Sequence, residues 1–309
     1  MSNIIKYITP EFLNNPYLVQ LLRELKKEEI DSDQLVKEDI YCPECTPIRI
    51  STMTITSNMN TELNLLEIFN MVEISDTYPI IEGIKLGSEL IKGKFKEKKK
   101  KPGKKNYFQN QITMIIKLEN TLKIPNLDEL KANIKIFKNG KIQMTGIKSN
   151  DHYKMVIDYL YLMFTEFHKR NNNILDINEF KISNYNVVLI NSDFRTNFEI
   201  NRENIYKYLY KTGYFVIYEP DIYPGVNLKY FWNSDNKTGI CNCTEKCIGK
   251  GTGCGNGQCK RITIAIFQSG SVIITGSNTL DRMHTCYKFI NTIFKENYKS
   301  IKYNYNDKI

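Results

Sequence analysis

The chain has 309 residues, 41% of them hydrophobic, which is enough to bury a core and excludes a chain that is disordered throughout. No apolar run approaches the roughly 18 residues of a membrane span, and the first residues lack the basic-then-apolar layout of a signal peptide. The net charge of +9 is concentrated between Lys92 and Lys105, where nine lysines and one glutamate leave the rest of the chain nearly neutral.

Residues 1–40 are predicted to form a leader with one amphipathic helix. Thr9 and Pro10 are a typical cap and first-turn pair, and leucines follow at helical spacing, at positions 18, 21, 22 and 25. This pattern indicates a docking arm or a partly ordered tail.

Residues 41–170 are predicted to be a first structural unit. Its elements, in chain order, are a strand over 48–55, a helix over 63–71, a strand over 81–86, a Lys-rich insertion over about 88–110, an added strand over 110–118, a helical turn over 127–131, a hairpin over 133–146 and a long helix from Ser149.

Residues 171–309 repeat this order. The predicted elements are a strand over 180–190, a helix over 202–211, a strand over 226–231, a Cys-rich insertion over about 234–259, a hairpin over 260–276 and a final helix from about residue 280. Both insertions are predicted to follow the second main strand of their unit.

The two hairpins share the pattern F-x-[NS]-G-x-[IV]-x-[MI]-T-G, in which Phe137 matches Phe267 and Thr145 matches Thr275. Such self-similarity indicates one unit made twice. In the first hairpin the strictly apolar positions alternate with Lys135, Phe137, Lys141, Gln143 and Thr145. Because successive strand residues face opposite ways, this second set predicts an uncovered sheet face that serves for binding.

The second unit resembles the TATA-box-binding protein family. The motif YEPDIYPG at 218–225 and the hairpin segments AIFQSG and ITG at 265–270 and 274–276 are similar to the family's second repeat. The similarity covers about 48–165 and 180–296. It implies an α+β saddle of two pseudo-symmetric repeats, each a curved antiparallel sheet with helices on its convex face. The long insertions indicate a divergent member, most like the versions in large DNA viruses.

The resemblance implies minor-groove DNA binding, with apolar side chains wedged between base steps. The implied wedges are Tyr223 and Phe267 in the second repeat, with Phe137 and Ile81 in the first. The remaining implied DNA-facing residues are Asn184, Thr145, Thr275, Lys135, Lys141, Gln143 and Ile273. The first repeat departs from the family pattern, because Ile48 stands where an Asn is expected and Lys135 and Gln143 replace apolar residues.

The resemblance also implies binding partners and a location in the cell. Glu219, Asp221 and Ile222 match the patch that contacts transcription factor IIB, so a similar protein and an RNA polymerase are expected partners, beside A·T-rich promoter DNA. The expected location is the nucleus or a cytoplasmic viral factory of an infected cell. No nucleophile motif, P-loop or paired carboxylate on the binding face indicates an enzyme.

Five cysteines lie close together in the second insertion: Cys241, Cys243, Cys247, Cys254 and Cys259. A glycine-rich loop of this kind cannot bury a core of its own, and a four-cysteine zinc site would give it a fold. A disordered thiol-rich loop and disulfides remain alternatives. Cys42 and Cys45 form a single C-x-x-C that fits half a zinc site, a redox pair or neither.

The lysine run fits either a solvated loop or a phosphate-binding loop, since its place in the family flanks DNA. A rival interpretation of the whole chain is a protein-interaction scaffold that kept the saddle and lost its DNA preference. The departures at Ile48, Lys135 and Gln143 motivate that rival.

Overall fold

The computed structural model describes residues 41–87, 90–95, 110–125 and 127–304. The predicted leader and most of the Lys-rich insertion lie outside them. From Pro43 onward, the described residues form one compact unit. In the described part of the chain, eleven strands form a single sheet in the order β3-β2-β4-β5-β6-β1-β7-β11-β10-β9-β8, and every neighbouring pair is antiparallel.

The first repeat contributes six strands and two helices. They are β1 (Arg49–Asn58), α1 (Leu65–Met71), β2 (Ile80–Leu86), β3 (Leu90–Gly93), β4 (Gln111–Glu119), β5 (Glu129–Phe137), β6 (Lys141–Ile147) and α2 (Asn150–Arg170).

The second repeat contributes five strands and two helices. They are β7 (Ser183–Arg195), α3 (Arg202–Lys211), β8 (Phe215–Ile217), β9 (Val226–Trp232), β10 (Lys260–Ile266), β11 (Ser271–Ser277) and α4 (Leu280–Ile301).

The helices begin at polar caps and bury one apolar face. The side chain of Ser149 accepts a hydrogen bond from the backbone of His152, and Thr279 does the same for Arg282. The buried residues of all four helices join those of the strands in one core. This α+β arrangement, with strand–turn–strand hairpins at both predicted places, confirms the predicted fold class.

The repeats meet at β1 and β7. Thr52 lies opposite Asn191 and Thr54 lies opposite Leu189, on either side of the pair Met53–Ile190. The same offset in residue number relates Thr54 to Asn191 and Thr52 to Leu189. Each threonine therefore lies opposite the equivalent of the other one, so an approximate two-fold axis passes through the pair Met53–Ile190. The repeats therefore share one continuous sheet.

Three local predictions are wrong. Residues 129–131 lie in strand β5 and not in a helical turn. The added strand of the first repeat is β3, because β4 has the place that β9 has in the second repeat. The insertions also differ in place, since the Lys-rich one falls between β2 and β4, while the Cys-rich one joins β9 to β10. Strand β8 has only three residues and leaves no clear alternation in the sequence, so the sequence pattern assigns its place to the next strand, β9. Among the described residues, no helix is long and apolar enough to cross a membrane.

Candidate nucleic-acid interface

Within the part of the chain that the structure describes, one face of the sheet carries no helix, and we call it the open face. In the hairpins, Ile134, Ile136, Ile142 and Met144 are buried in the core, as are Ile264, Ile266, Val272 and Ile274 in the second repeat. Their alternating neighbours therefore lie on the open face. These are Lys135, Phe137, Lys141, Gln143 and Thr145 in the first repeat, and Ala265, Phe267, Ser271, Ile273 and Thr275 in the second.

Tyr223 and Phe267 come together at the end of the second hairpin. Their ring centroids lie 5.7 Å apart in an edge-to-face arrangement. Gly225 leaves room for both rings, since a Cβ there would lie 2.8 Å from Tyr223 Cε1 and 3.0 Å from Phe267 Cε1. Tyr223 is 39% exposed. The structure thus holds two aromatic rings at the surface as a pair.

Ile81 does not accompany Phe137 in this way. It is only 5% exposed and packs in the core, so its assignment to the open face is wrong. The register shows why: Ile112 pairs with Ile136 as Val226 pairs with Ile266. The equivalent of Tyr223 is therefore residue 109, which lies outside the described residues.

Asn184 lies at the start of β7 with a left-handed backbone (φ 60°), next to the pair Asn58–Ser183 and far from the two-fold axis. The asparagine near the axis is Asn191, whose side-chain oxygen accepts a hydrogen bond from Thr275 Oγ1 at 2.5 Å. The alternation of buried Ile190, Ser192 and Phe194 could have identified it. Ile48, the expected equivalent of Asn184, precedes β1 and packs against the core.

The centre of the open face is neutral and carries short side chains. Around the axis lie Thr52, Thr54, Leu189 and Asn191, and Val188 beside them is 48% exposed. Farther along β7, Asp193 accepts hydrogen bonds from Arg49 Nε at 2.7 Å and from Ser51 Oγ. Its charge is therefore balanced within the face.

The outer part of the first repeat carries an ionic cluster on the open face. Lys117 Nζ lies 2.8 Å from Glu82 and 2.5 Å from Glu129, and Lys131 Nζ lies 2.6 Å from Glu82. Hydrogen bonds from Lys117 and then Lys131 hold the pKa of Glu82 below its ordinary value. Hydrogen bonds to Glu129 and Glu82 raise the pKa of Lys117.

The corresponding part of the second repeat is mostly apolar. Phe231, Phe215 and Ile217 lie there, beside Lys229. Lys229 Nζ donates to Thr263 Oγ1 at 3.0 Å, and burial, helped by nearby Arg261, lowers its pKa. The open face therefore carries paired carboxylates and lysines in the first repeat, and aromatic and aliphatic side chains beside Lys229 and Arg261 in the second.

The lysine run is partly structural at its start. Lys92 Nζ donates to the backbone oxygens of Phe69, Asn70 and Val72 at 2.8–3.0 Å, at the carboxyl end of α1. This is a favourable place for a cation. Lys92 therefore holds β3 to the helix, and the lysines of 96–109 lie outside the described residues.

The patch predicted for partner binding is a turn. The carbonyl of Glu219 accepts hydrogen bonds from the backbone of Ile222 at 3.0 Å and of Tyr223 at 2.9 Å. This turn presents Ile222 with 80% of its surface exposed, between exposed Asp221 and Tyr223. A large apolar side chain is thus held away from the core.

Four of the five predicted cysteine ligands converge. The sulfur atoms of Cys241, Cys243, Cys247 and Cys259 lie within 4.8 Å of one another, with Cys243–Cys259 at 3.5 Å and Cys241–Cys259 at 3.8 Å. A tetrahedral metal with metal–sulfur bonds of about 2.3 Å separates its ligands by about 3.8 Å. The donor set could therefore hold a metal ion. Cys254 is exposed and outside the cluster, so its inclusion is wrong.

The thiol cluster is joined to the sheet. Asn233 Nδ2 lies 3.7 Å from Cys259 Sγ, and Arg282 of α4 stacks 4.4 Å above Trp232 while donating to Thr252 O. Burial raises the pKa of Cys259 to about 12 and also raises that of Cys241. Burial raises the pKa of Cys247 as well, but hydrogen bonds, chiefly from the backbone of Gly249 and Cys259, leave it below its ordinary value.

Comparison with known proteins agrees with the sequence motifs. No family model matches the chain. A "TATA-box-binding protein-like" protein of Acanthamoeba polyphaga mimivirus is 31% identical over 214 residues, which make up 66% of this chain. The chain spans 52% of that relative's length.

A structure of Methanococcus jannaschii TBP aligns with 81% of this chain and 99% of its own length, with a TM-score of 0.45 and 16% identity. The viral relative, to which 66% of this chain aligns, confirms the resemblance to the TATA-box-binding protein family that the motifs predicted.

Proposed function

We propose that this chain is a transcription initiation factor that binds A·T-rich promoter DNA in the minor groove and bends it. The observation that carries the proposal is the Tyr223–Phe267 pair, two half-exposed rings held edge to face at the end of the open face. Apolar side chains in such positions can enter between base steps, partly unstacking them and kinking the duplex. Phe137 is the corresponding side chain of the first repeat.

The centre of the open face suits the floor of the minor groove. Thr52, Thr54 and Asn191 are short and uncharged, so a duplex can approach without meeting unpaired charge. The minor groove of A·T pairs offers only acceptors, and hydroxyl and amide groups can donate to them. Lys135 and Lys141 would contribute contacts to phosphates, which strengthen binding without selecting sequence.

The turn at 219–223 is proposed to bind a transcription factor IIB-like protein, and through it an RNA polymerase. Support comes from the exposure of Ile222 and from the two flanking carboxylates of Glu219 and Asp221. Such a role has no catalytic step. It places the chain where viral transcription occurs, in the nucleus or in a cytoplasmic factory.

We further propose that Cys241, Cys243, Cys247 and Cys259 hold one zinc ion. The distances between their sulfur atoms fit a closed tetrahedral site, which is typical of structural zinc. The ion would fix the β9–β10 insertion at the edge of the sheet. Protein purified without chelators is expected to contain about one zinc per chain.

Two variants separate this proposal from chance binding. Cys247→Ser removes a sulfur of the cluster and should abolish stoichiometric zinc, whereas Cys254→Ser should retain it. Folded wild-type protein without zinc, or equal zinc loss in both variants, would contradict the assignment. A preparation that contains iron and absorbs visible light would indicate an iron–sulfur centre at these cysteines in place of zinc.

The rival function is a scaffold that no longer binds DNA selectively. The carboxylates of Glu82 and Glu129 on the open face favour it, because they oppose an approaching phosphate. Binding to a doubly end-labelled A·T-rich duplex, compared with a G·C-rich one, distinguishes the two. Tight A·T-selective binding with end-to-end energy transfer supports the initiation factor, and absence of binding supports the scaffold. Salt-sensitive binding that is equally tight for both duplexes and does not bend them would mean that the lysine run makes the DNA contact.

A further inference from the structure

We infer that the two repeats read different base pairs: the second accepts only A·T pairs, whereas the first also accepts a G·C pair through the side chain of Gln143. The inference rests on the proposed minor-groove function. It concerns which half of the site carries the A·T requirement.

The register of the sheet identifies the residues to compare. Gln143 lies opposite Lys135 in the first hairpin, and Ile273 lies opposite Ala265 in the second. Since Phe137 matches Phe267 in the repeated motif, Gln143 corresponds to Ile273 and Lys135 corresponds to Ala265. These two positions of the open face therefore carry apolar side chains in the second repeat and polar side chains in the first.

Guanine differs from adenine in the minor groove by one donor, its N2 amino group. Ile273 and Ala265 offer that donor no acceptor, so a G·C pair there would leave a buried N–H unpaired. The side-chain amide of Asn227, which lies opposite Ala265, donates to Gly225 O at 3.5 Å. The acceptors nearest the axis are already engaged. Asn191 Oδ1 accepts from Thr275 Oγ1, and the two oxygens of Asp193 accept from Arg49 and Ser51.

What the second repeat still presents near the axis is the side-chain amino group of Asn191. A donor matches the acceptors of A·T pairs, adenine N3 and thymine O2. The second repeat therefore combines a donor with apolar neighbours, which favours A·T pairs and disfavours guanine.

The first repeat presents the opposite chemistry. Gln143 is half-buried, and within the described residues its amide makes no hydrogen bond. Across from it lie Lys135 on β5 and Thr56 on β1. A glutamine amide oxygen can accept from the guanine N2 amino group, and its nitrogen can donate to an A·T pair, so both kinds of pair are satisfied.

The test uses A·T duplexes in which single base pairs are changed to G·C in turn, with affinity measured for each. Wild-type protein should tolerate G·C in one half of its site and lose roughly ten-fold or more in affinity in the other half. Gln143→Ile should extend that loss to both halves. Ile273→Gln should relieve it in the half that the wild type rejects.

Inosine provides a chemical control, because it pairs with cytosine without the N2 amino group. Replacing guanine by inosine should restore affinity only in the half contacted by Ile273. Equal penalties in both halves of the site, or unchanged profiles in both variants, would overturn the inference while leaving DNA binding intact. Failure to bind the unmodified A·T duplex would overturn the proposed function as well. Thermal melting of both variants establishes that they are folded.

Discussion

His152 provides a pH-dependent test of how α2 is held on the sheet. Its ring is fully buried in the first turn of the helix, where Nδ1 accepts a hydrogen bond from the backbone of Lys148 at 3.2 Å. Nε2 is buried without a partner among the described residues. Burial, and secondarily the charge of Lys148, lowers the pKa of His152 from 6.5 to about 4.

The unfolded chain therefore binds a proton between pH 6.5 and 4 that the folded chain excludes. Stability is unaffected above pH 6.5 and falls as the pH drops through this window. From these two pKa values, the loss between pH 7.5 and pH 5 is about 2 kcal/mol. Glu82, whose folded pKa lies below 4.5, loses its contribution only at still lower pH.

The assay is urea unfolding at a series of pH values. His152→Gln keeps an acceptor for Lys148 without a titrating ring, so its stability should change by about 2 kcal/mol less over this range. His284→Gln, at an exposed position of α4, is the matched control and should behave as wild type. An equal pH dependence in wild type and His152→Gln would refute the reasoning.

Three further outcomes are expected. Lys117→Met should raise the pKa of Glu82 toward its ordinary value, measured by NMR titration; an unchanged pKa would mean that Lys131 alone sets it. Tyr230→Phe should cost about 1 kcal/mol in urea unfolding, because the buried hydroxyl donates to Lys237 O at 2.6 Å; no loss would show that this bond contributes nothing. Gly225→Ala should push the rings of Tyr223 and Phe267 apart and weaken DNA bending, with little change in melting temperature. Unchanged bending would show that bending does not depend on the arrangement of the ring pair.

Strong local patterns made much of the fold predictable. The hairpins were identified by their repeated turn motif and by strict alternation, and both occur where expected. The long helices α2 and α4 follow polar caps and helical spacing, and α3 has the predicted bounds. Each of these signals lies within a few neighbouring residues.

Predictions that depended on alignment across a long gap were less successful. The sequence places Ile81 on the open face because β8 is only three residues long and the Lys-rich insertion separates β2 from the position equivalent to Tyr223. A short motif predicts Asn184, whereas the register of β1 and β7 places Asn191 beside the axis. The pairing partner of a strand, which decides both cases, is not encoded locally.

The thiol cluster shows a third limit. Five closely spaced cysteines predicted a metal site, but their order along the chain could not indicate which four converge. The loop folds back so that Cys259 meets Cys241 and Cys243, and leaves Cys254 exposed between glycines with left-handed backbones. That selection is a property of the folded loop.

The most direct test of the central claim is DNA bending by wedge variants. End-to-end energy transfer on a labelled A·T-rich duplex should be high with wild-type protein. It should be lost with Phe267→Ala and Phe137→Ala, and retained with Tyr210→Ala, which removes an exposed aromatic ring from α3. Bending that persists in both phenylalanine variants, with the proteins folded, would contradict the assignment of these rings as wedges.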